Sequence, residues 1–260
     1  MTDPRTISYT REEHVGWIRM GQPDAMTLMS GPLMSEIRAA LQTATADPEV
    51  RVLVLIGQGR TFIAGADLRF IRDASSEEFL EFNRENQSLA AELIGFERPT
   101  IAAVNGHALG GGLEIALACD IRVCATTARL GFPEVAVALL HSTGSSYLLP
   151  RMVGLARAKE LTLTGRIIDA GEAVRIGLAT NAVPPDMVEQ VARETALSIA
   201  EKAPVAVAWT KRIFDVGAHS DLSAALSLEA VGNRACSETE DRVEGARAFF
   251  DKRAPVYRGR

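Results

Sequence analysis

The run NGHALGGGLEIALACD, Asn105–Asp120, constrains this chain more than any other segment. Three consecutive glycines open a helix-like stretch, where each costs about 1 kcal/mol in conformational entropy relative to alanine. A chain that keeps them needs a close backbone approach at that point. The start of a helix also offers unpaired N–H groups and the positive end of the helix dipole, which suits an oxyanion such as a thioester enolate. Close helix–helix or helix–sheet packing through the glycines is the competing explanation. Glu114 lies one turn further on, amid Leu113, Ile115, Ala116 and Leu117. An acid in so apolar a segment is paired, or has a raised pKa and a function.

The surrounding segments read as alternating strands and helices. Residues 7–20 form a hairpin around the polar REEH. Residues 30–45 form a helix with Leu33, Met34, Ile37 and Leu41 at helical spacing, Ser30 as N-cap and Pro32 in the first turn. VRVLVLIG (50–57) is a largely buried strand. Residues 75–97 form a long amphipathic helix on Phe79, Phe82, Leu89, Leu93 and Phe96. PTIAAVNG (99–106) and CDIRVCA (119–125) are further buried strands. After Pro150 the chain turns mostly helical, with a helix restart at Ala203–Pro204. The fold class is α/β, divided into an α/β core over 1–200 and a helical part over 201–260, to which the family resemblance set out below assigns oligomerisation.

Composition closes off several functions. With 260 residues, 47% apolar and 23% charged, the chain is an ordinary globular one. Aromatics are only 5% and the net charge is −5, so a nucleic-acid partner is disfavoured. The N-terminal MTDPRTISYTREEH lacks an apolar leader core, and polar residues interrupt the apolar stretch at 99–140, so no membrane association and a cytoplasmic location are expected. Cys119 and Cys124 form a lone C-x4-C with no second pair, which reads as buried thiols, and no metal site is expected. No phosphate-binding glycine loop, zinc-protease motif or serine-hydrolase elbow occurs. A Ser/His pairing of His141 with Ser142, Ser145 or Ser146 is disfavoured, because adjacent residues rarely face each other correctly.

Two further features complete the candidate site. FIAGADL (62–68) follows the buried strand at 50–57. Its Ala-Gly-Ala-Asp run makes a tight turn with little side-chain bulk, so backbone N–H groups can face open space. An ordinary strand-to-helix turn capped by Asp67 is the simpler explanation. Glu134, in LGFPEVAVALL, is a second lone acid in apolar surroundings. Two such carboxylates are the material of general acid–base chemistry.

These residues resemble the crotonase family, the enoyl-CoA hydratase/isomerase superfamily. The likeness runs from PDAMTLM through FIAGADL, PTIAAVNGHALGGGLEIALACDIRVCA and LGFPE to LTGRIIDAGEAVRIGLATNAV and the terminal EGARAFFDKR. It implies a ββα superhelix with a helical C-terminal part, acting in fatty-acid metabolism on an acyl-CoA, with no cofactor beyond the coenzyme A of the substrate. It further implies a homotrimer or homohexamer. Ala66 and Gly111 match the oxyanion-hole N–H positions, and Glu114 and Glu134 the two hydratase acids. Ala25, Ala64, Asp67, Leu68 and Gly110 match positions along the coenzyme A and thioester path. The sequence departs from the family pattern at Thr27, where asparagine is common, and at Asn233, which replaces an aromatic. Lys252 stands at an expected phosphate contact. The loop that usually reads P-G-x-G-G-T is here His141-Ser142-Thr143-Gly144-Ser145-Ser146, which places His141 and Ser142 beside the acyl chain. The implied activity is reversible hydration of a 2-enoyl-CoA. The altered loop favours an alternative: an isomerase, acyl-CoA hydrolase or decarboxylase. A non-catalytic acyl-CoA-binding member is a third reading, opposed by the intact turns and both acids.

Overall fold

The computed structural model describes residues 6–260. The opening five residues, on which the reading of the N-terminal segment partly rests, lie outside the described part. Strands β1 (Ile7–Glu12) and β2 (Val15–Met20) form the expected antiparallel hairpin, turning at Glu13 with φ +54°. Helix α1 (Gly31–Ala46) follows, capped by the Ser30 hydroxyl, which accepts a hydrogen bond from the Leu33 N–H at 3.3 Å. Such a cap is worth about 1 kcal/mol. Leu33, Met34, Ile37 and Leu41 are all buried on its inner face.

The next segments repeat one unit: a strand in a large sheet, a short strand in a second sheet, then a helix. In the first unit β3 (Val52–Gly57) and β4 (Thr61–Ile63) lead to α2 (Leu68–Asp73) and α3 (Ser76–Ile94). In the second, β5 (Thr100–Val104) and β6 (His107–Leu109) lead to α4 (Gly111–Ala118). The third pairs β7 (Ile121–Ala125) with β8 (Arg129–Gly131) and ends in a 3-10 turn at Pro133–Val137. Then come α5 (Ser145–Val153), α6 (Leu155–Thr164), β9 (Ile167–Asp169), α7 (Ala170–Arg175), β10 (Asn181–Val183) and α8 (Val188–Ala200). The large sheet has the order β1-β2-β3-β5-β7-β10 and the small one β4-β6-β8-β9. Every residue of β3 is buried between parallel neighbours β2 and β5, which is why that strand is a continuous aliphatic run and not an alternating one.

The strands of the small sheet are three residues each, too short for an alternating pattern to register in the sequence. The long helix α3 also ends earlier than its periodicity implies. It starts with a capping box between Ser75 and Glu78 and stops at Gly95, so Phe96 is buried beyond the helix. Phe79 is only half-buried.

The remaining α-helices are α9 (Pro204–Arg212), α10 (Leu222–Ser237) and α11 (Glu240–Asp251), with Pro204 at the first helical position as expected and a π-helical turn at Ile213–Gly217 after α9. A largely buried Lys211 ties α9 to the core. Its Nζ lies 2.6 and 2.8 Å from the two Asp120 carboxylate oxygens, and Asp120 also accepts from the Thr100 N–H at 2.7 Å. Cys119 and Cys124 are buried thiols, pushed up to about 12 by desolvation.

The glycine triplet divides by position. A Cβ at Gly112 would stand 2.0 Å from the Ile63 carbonyl oxygen, so here the glycine lets α4 press onto β4. A Cβ at Gly111 would meet only Met29 Cγ, at 4.0 Å. Gly112→Ala is expected to destabilise the protein by roughly 1–3 kcal/mol, the range for overpacking, while Gly111→Ala keeps the wild-type melting temperature. Thermal unfolding of the two variants side by side tests this.

Candidate active site

A cavity of about 320 Å³ opens where α4 starts. The turn after β4 supplies Ala64, Gly65 and Ala66 to its wall. The turn into α4 supplies Gly110, Gly111 and Glu114, and the 3-10 turn adds Glu134. Segments distant in sequence meet here because β4, β6 and β8 are adjacent strands whose ends all deliver turns to one edge of the small sheet.

The backbone of the first turn is pinned from one side. The Met29 N–H donates to the Gly65 carbonyl at 2.8 Å, and the Ala64 N–H to the Thr27 carbonyl at 2.8 Å. Gly65 has φ +94°, which reverses the chain between them. In the second turn Gly110 has φ +51° and ψ −127°, a conformation open to glycine and costly for other residues. Gly111 then begins α4, where N–H groups lack a carbonyl one turn earlier.

Glu114 is 2% exposed and densely held. Its Oε1 accepts from the Thr143 N–H at 2.7 Å and from the Ser145 hydroxyl at 2.6 Å; its Oε2 accepts a longer bond from the Ser142 N–H at 3.4 Å. Donors from three residues thus compensate the burial of this carboxylate. Glu134 is treated differently. Its Oε2 is buried with no hydrogen-bond partner among the described residues, and burial, with Glu114 as a lesser cause, raises its pKa to about 7. The pair is thus differentiated by environment: the Glu114 carboxylate is anchored by hydrogen bonds, while burial raises the pKa of Glu134. A Cβ at Gly110 would approach Glu134 Oε1 to 2.8 Å, so the absent side chain also makes room for that acid.

The remaining sequence candidates separate. Leu68 and Ser142 line the cavity, and Leu68 is exposed at its rim. Asp67 caps α2, accepting from the Arg69 N–H at 2.9 Å, and pairs with the Arg69 side chain. Ala25 sits in the exposed loop before α1. His141 lies edge-on to Phe132, with ring centroids 5.9 Å apart, and does not line this cavity; the Ser145 hydroxyl is committed to Glu114 and not to His141. Lys252 ends α11 with φ +54° and is exposed, away from the cavity within this chain. Thr27 is buried against Gly21 and donates its N–H to Thr61 Oγ1 at 3.0 Å.

The geometry adds residues that the motif reading passed over. Thr143 and Ser145 hold Glu114, and Asn83 and Asn86 of α3 face the cavity beside Phe79 and Phe82. The asparagines had a legible signal: Asn86 falls four residues after Phe82 and three before Leu89, on the apolar stripe of α3. A larger cavity of about 890 Å³ lies under α9, but its acids are tied up around Lys211 and no such pair of glycine turns faces it.

The model of the enoyl-CoA hydratase/isomerase family matches residues 10–260. This chain belongs to that family. It is 37% identical over 248 residues to a crotonyl-CoA hydratase of Syntrophomonas wolfei, covering 95% of each. It is 36% identical over 244 residues to a short-chain-enoyl-CoA hydratase of Clostridium acetobutylicum, covering 94% of each. The crystal structure of an enoyl-CoA hydratase from Bacillus anthracis superposes with a TM-score of 0.95 at 36% identity, over 98% of this chain and 100% of that one. The crotonase fold expected from the glycine runs is therefore the fold of this chain, and its repeated strand–strand–helix units are those of the family. Among the described residues no helix is long and apolar enough to cross a membrane.

Because the Ser145 hydroxyl bonds a buried charged group, Ser145→Ala is expected to lower stability by about 1.5–3 kcal/mol. Ser145→Thr, which keeps the hydroxyl, should recover part of it. Urea unfolding of both variants measures the difference.

Proposed function

We propose that this protein is an enoyl-CoA hydratase, a carbon–oxygen lyase that adds water reversibly across the double bond of a 2-enoyl-CoA. The observation that carries the reading is the meeting of two unlike carboxylates, Glu114 and Glu134, in one cavity with the turns bearing the Ala66 and Gly111 N–H groups. The isomerase, hydrolase and decarboxylase readings rest on His141 and the altered loop, and that loop is occupied in holding Glu114.

In this mechanism the thioester oxygen lies between the N–H groups of Ala66 and Gly111. Glu114 takes a proton from a water molecule, and the oxygen of that water adds to the β-carbon. The double-bond electrons move through the α-carbon onto the thioester oxygen as an enolate, where one preorganised donor is worth about 2.7–4 kcal/mol. The enolate collapses, the α-carbon takes its proton from Glu134, and Glu114 ends protonated. Ala64, Leu68 and Gly110 lie along the thioester path. Ala25, Asp67 and Lys252 would meet the coenzyme A moiety outside the cavity, and Ser142 would stand toward the acyl chain. No metal or redox cofactor enters; coenzyme A arrives with the substrate.

The apolar side chains exposed on the C-terminal helices and the segment between them, including Phe214, Leu222, Leu226, Phe249 and Phe250, support assembly as a homotrimer or homohexamer through 201–260. Three free cysteines suit the reducing cytoplasm.

The conjugated thioester of crotonyl-CoA absorbs in the ultraviolet, and hydration removes that absorbance. Glu114→Gln and Glu134→Gln are each expected to slow the loss by about 10²–10⁴-fold, the usual worth of a positioned acid or base. An isomerase would tolerate loss of Glu114 far better than loss of Glu134, and unchanged absorbance with wild-type protein would overturn the hydratase reading. The pH profile is a second check. Hydration consumes Glu134 in its acid form, so kcat/KM falls as pH rises through about 7. Dehydration starts from the same net protonation state and falls with it. Light scattering coupled to size-exclusion chromatography gives the subunit number.

A further inference from the structure

On its α3 side the cavity carries two asparagines, Asn83 and Asn86, set among Ile71, Phe79 and Phe82. Asn86 is 3% exposed, lines the cavity, and donates its amide N–H to the Phe82 carbonyl at 3.2 Å, while its Oδ1 has no hydrogen-bond partner among the described residues. That donor bond sets the amide orientation, because a flipped amide would turn its oxygen toward the Phe82 carbonyl oxygen. Asn83, three residues earlier on α3, lines the same cavity and accepts the Ser142 hydroxyl on its Oδ1 at 3.0 Å, which leaves its own amide donors for another partner. Ser142 also reaches Glu114 through its N–H, so this polar wall begins one residue from the catalytic carboxylate.

We propose that Asn83 and Asn86 select an acyl group bearing a hydroxyl a short way beyond the β-carbon. The inference rests on the hydratase reading of this cavity and names its substrate class. Asn86 Oδ1 requires a donor and the Asn83 amide offers one; a hydroxyl both donates and accepts, and so satisfies both. A plain alkyl chain leaves the buried oxygen unpaired. A carboxylate or ketone presents only lone pairs to Asn86 Oδ1, and among the described residues no lysine, arginine or histidine lines the cavity to neutralise an acid.

Two arms test the proposal. Calorimetric binding of the saturated thioesters 4-hydroxybutanoyl-CoA and 5-hydroxypentanoyl-CoA, against butanoyl-CoA and pentanoyl-CoA, reads the pocket without turnover. Hydration rates of the matching hydroxylated and plain 2-enoyl-CoA esters read it during catalysis. At least one hydroxylated ester is expected to bind about tenfold more tightly than its plain partner, the effect of a well-made hydrogen bond. Asn86→Leu should abolish that ratio, and Asn83→Ala, at a half-buried position, should reduce it should the first variant fail to fold. Equal or weaker binding of both hydroxylated esters overturns the proposal, as does a ratio unchanged in the variants. Absence of hydration alongside a clear binding preference would count against the hydratase chemistry alone, and hydration with no preference against this proposal alone.

Discussion

A carboxylate taken out of water must be given donors, and the burial of Glu114 organises the rest of the site. Its side chain leaves the first turn of α4 into apolar surroundings, so the chain has to bring N–H and O–H groups to it from elsewhere. Residues 142–145 do this, and in doing so they set where α5 begins and which way Ser142 faces. The Ser142 hydroxyl then meets Asn83 on α3, so the anchoring of one buried carboxylate reaches across to the α3 wall of the cavity.

That arrangement depends in turn on α4 lying close to β4. The contact of Gly112 with the Ile63 carbonyl sets the spacing, and the small sheet brings the Ala66 turn and the Gly111 turn to one edge. The two explanations for the glycine triplet, an open N–H and close packing, are both realised, at different residues. Gly112 packs, Gly111 is open, and Gly110 takes the unusual backbone conformation and leaves room for Glu134.

Proton chemistry near neutrality needs two carboxylates with different affinities for a proton. Here the two carboxylates differ in what surrounds them: Glu114 has donors from three residues, and among the described residues Glu134 Oε2 has none, its burial raising its pKa. The unusual loop sequence contributes to that asymmetry, since Ser145 is one of the donors. A hydroxyl there takes part in anchoring Glu114 without adding a titrating group.

Much of this was legible before any coordinates. The capped helix at 31–46, the buried strands at 52–57, 100–104 and 121–125, and the opening of α4 follow from local periodicity, capping residues and glycine cost, which are properties of neighbouring residues. Glu114 and Glu134 stand out for the same reason, as lone charges in apolar runs. The three-residue strands of the small sheet were not legible, because they are specified by pairing with distant segments and have too few residues to show a pattern. Nor could the sequence show that Ser145 turns to Glu114 while His141 packs on Phe132, or that Asn86 Oδ1 is left without a partner. The chain alone determined which residues are unusual for their surroundings. Only the tertiary structure decided which of them meet, because hydrogen bonding and desolvation act across space between groups that local sequence leaves apart.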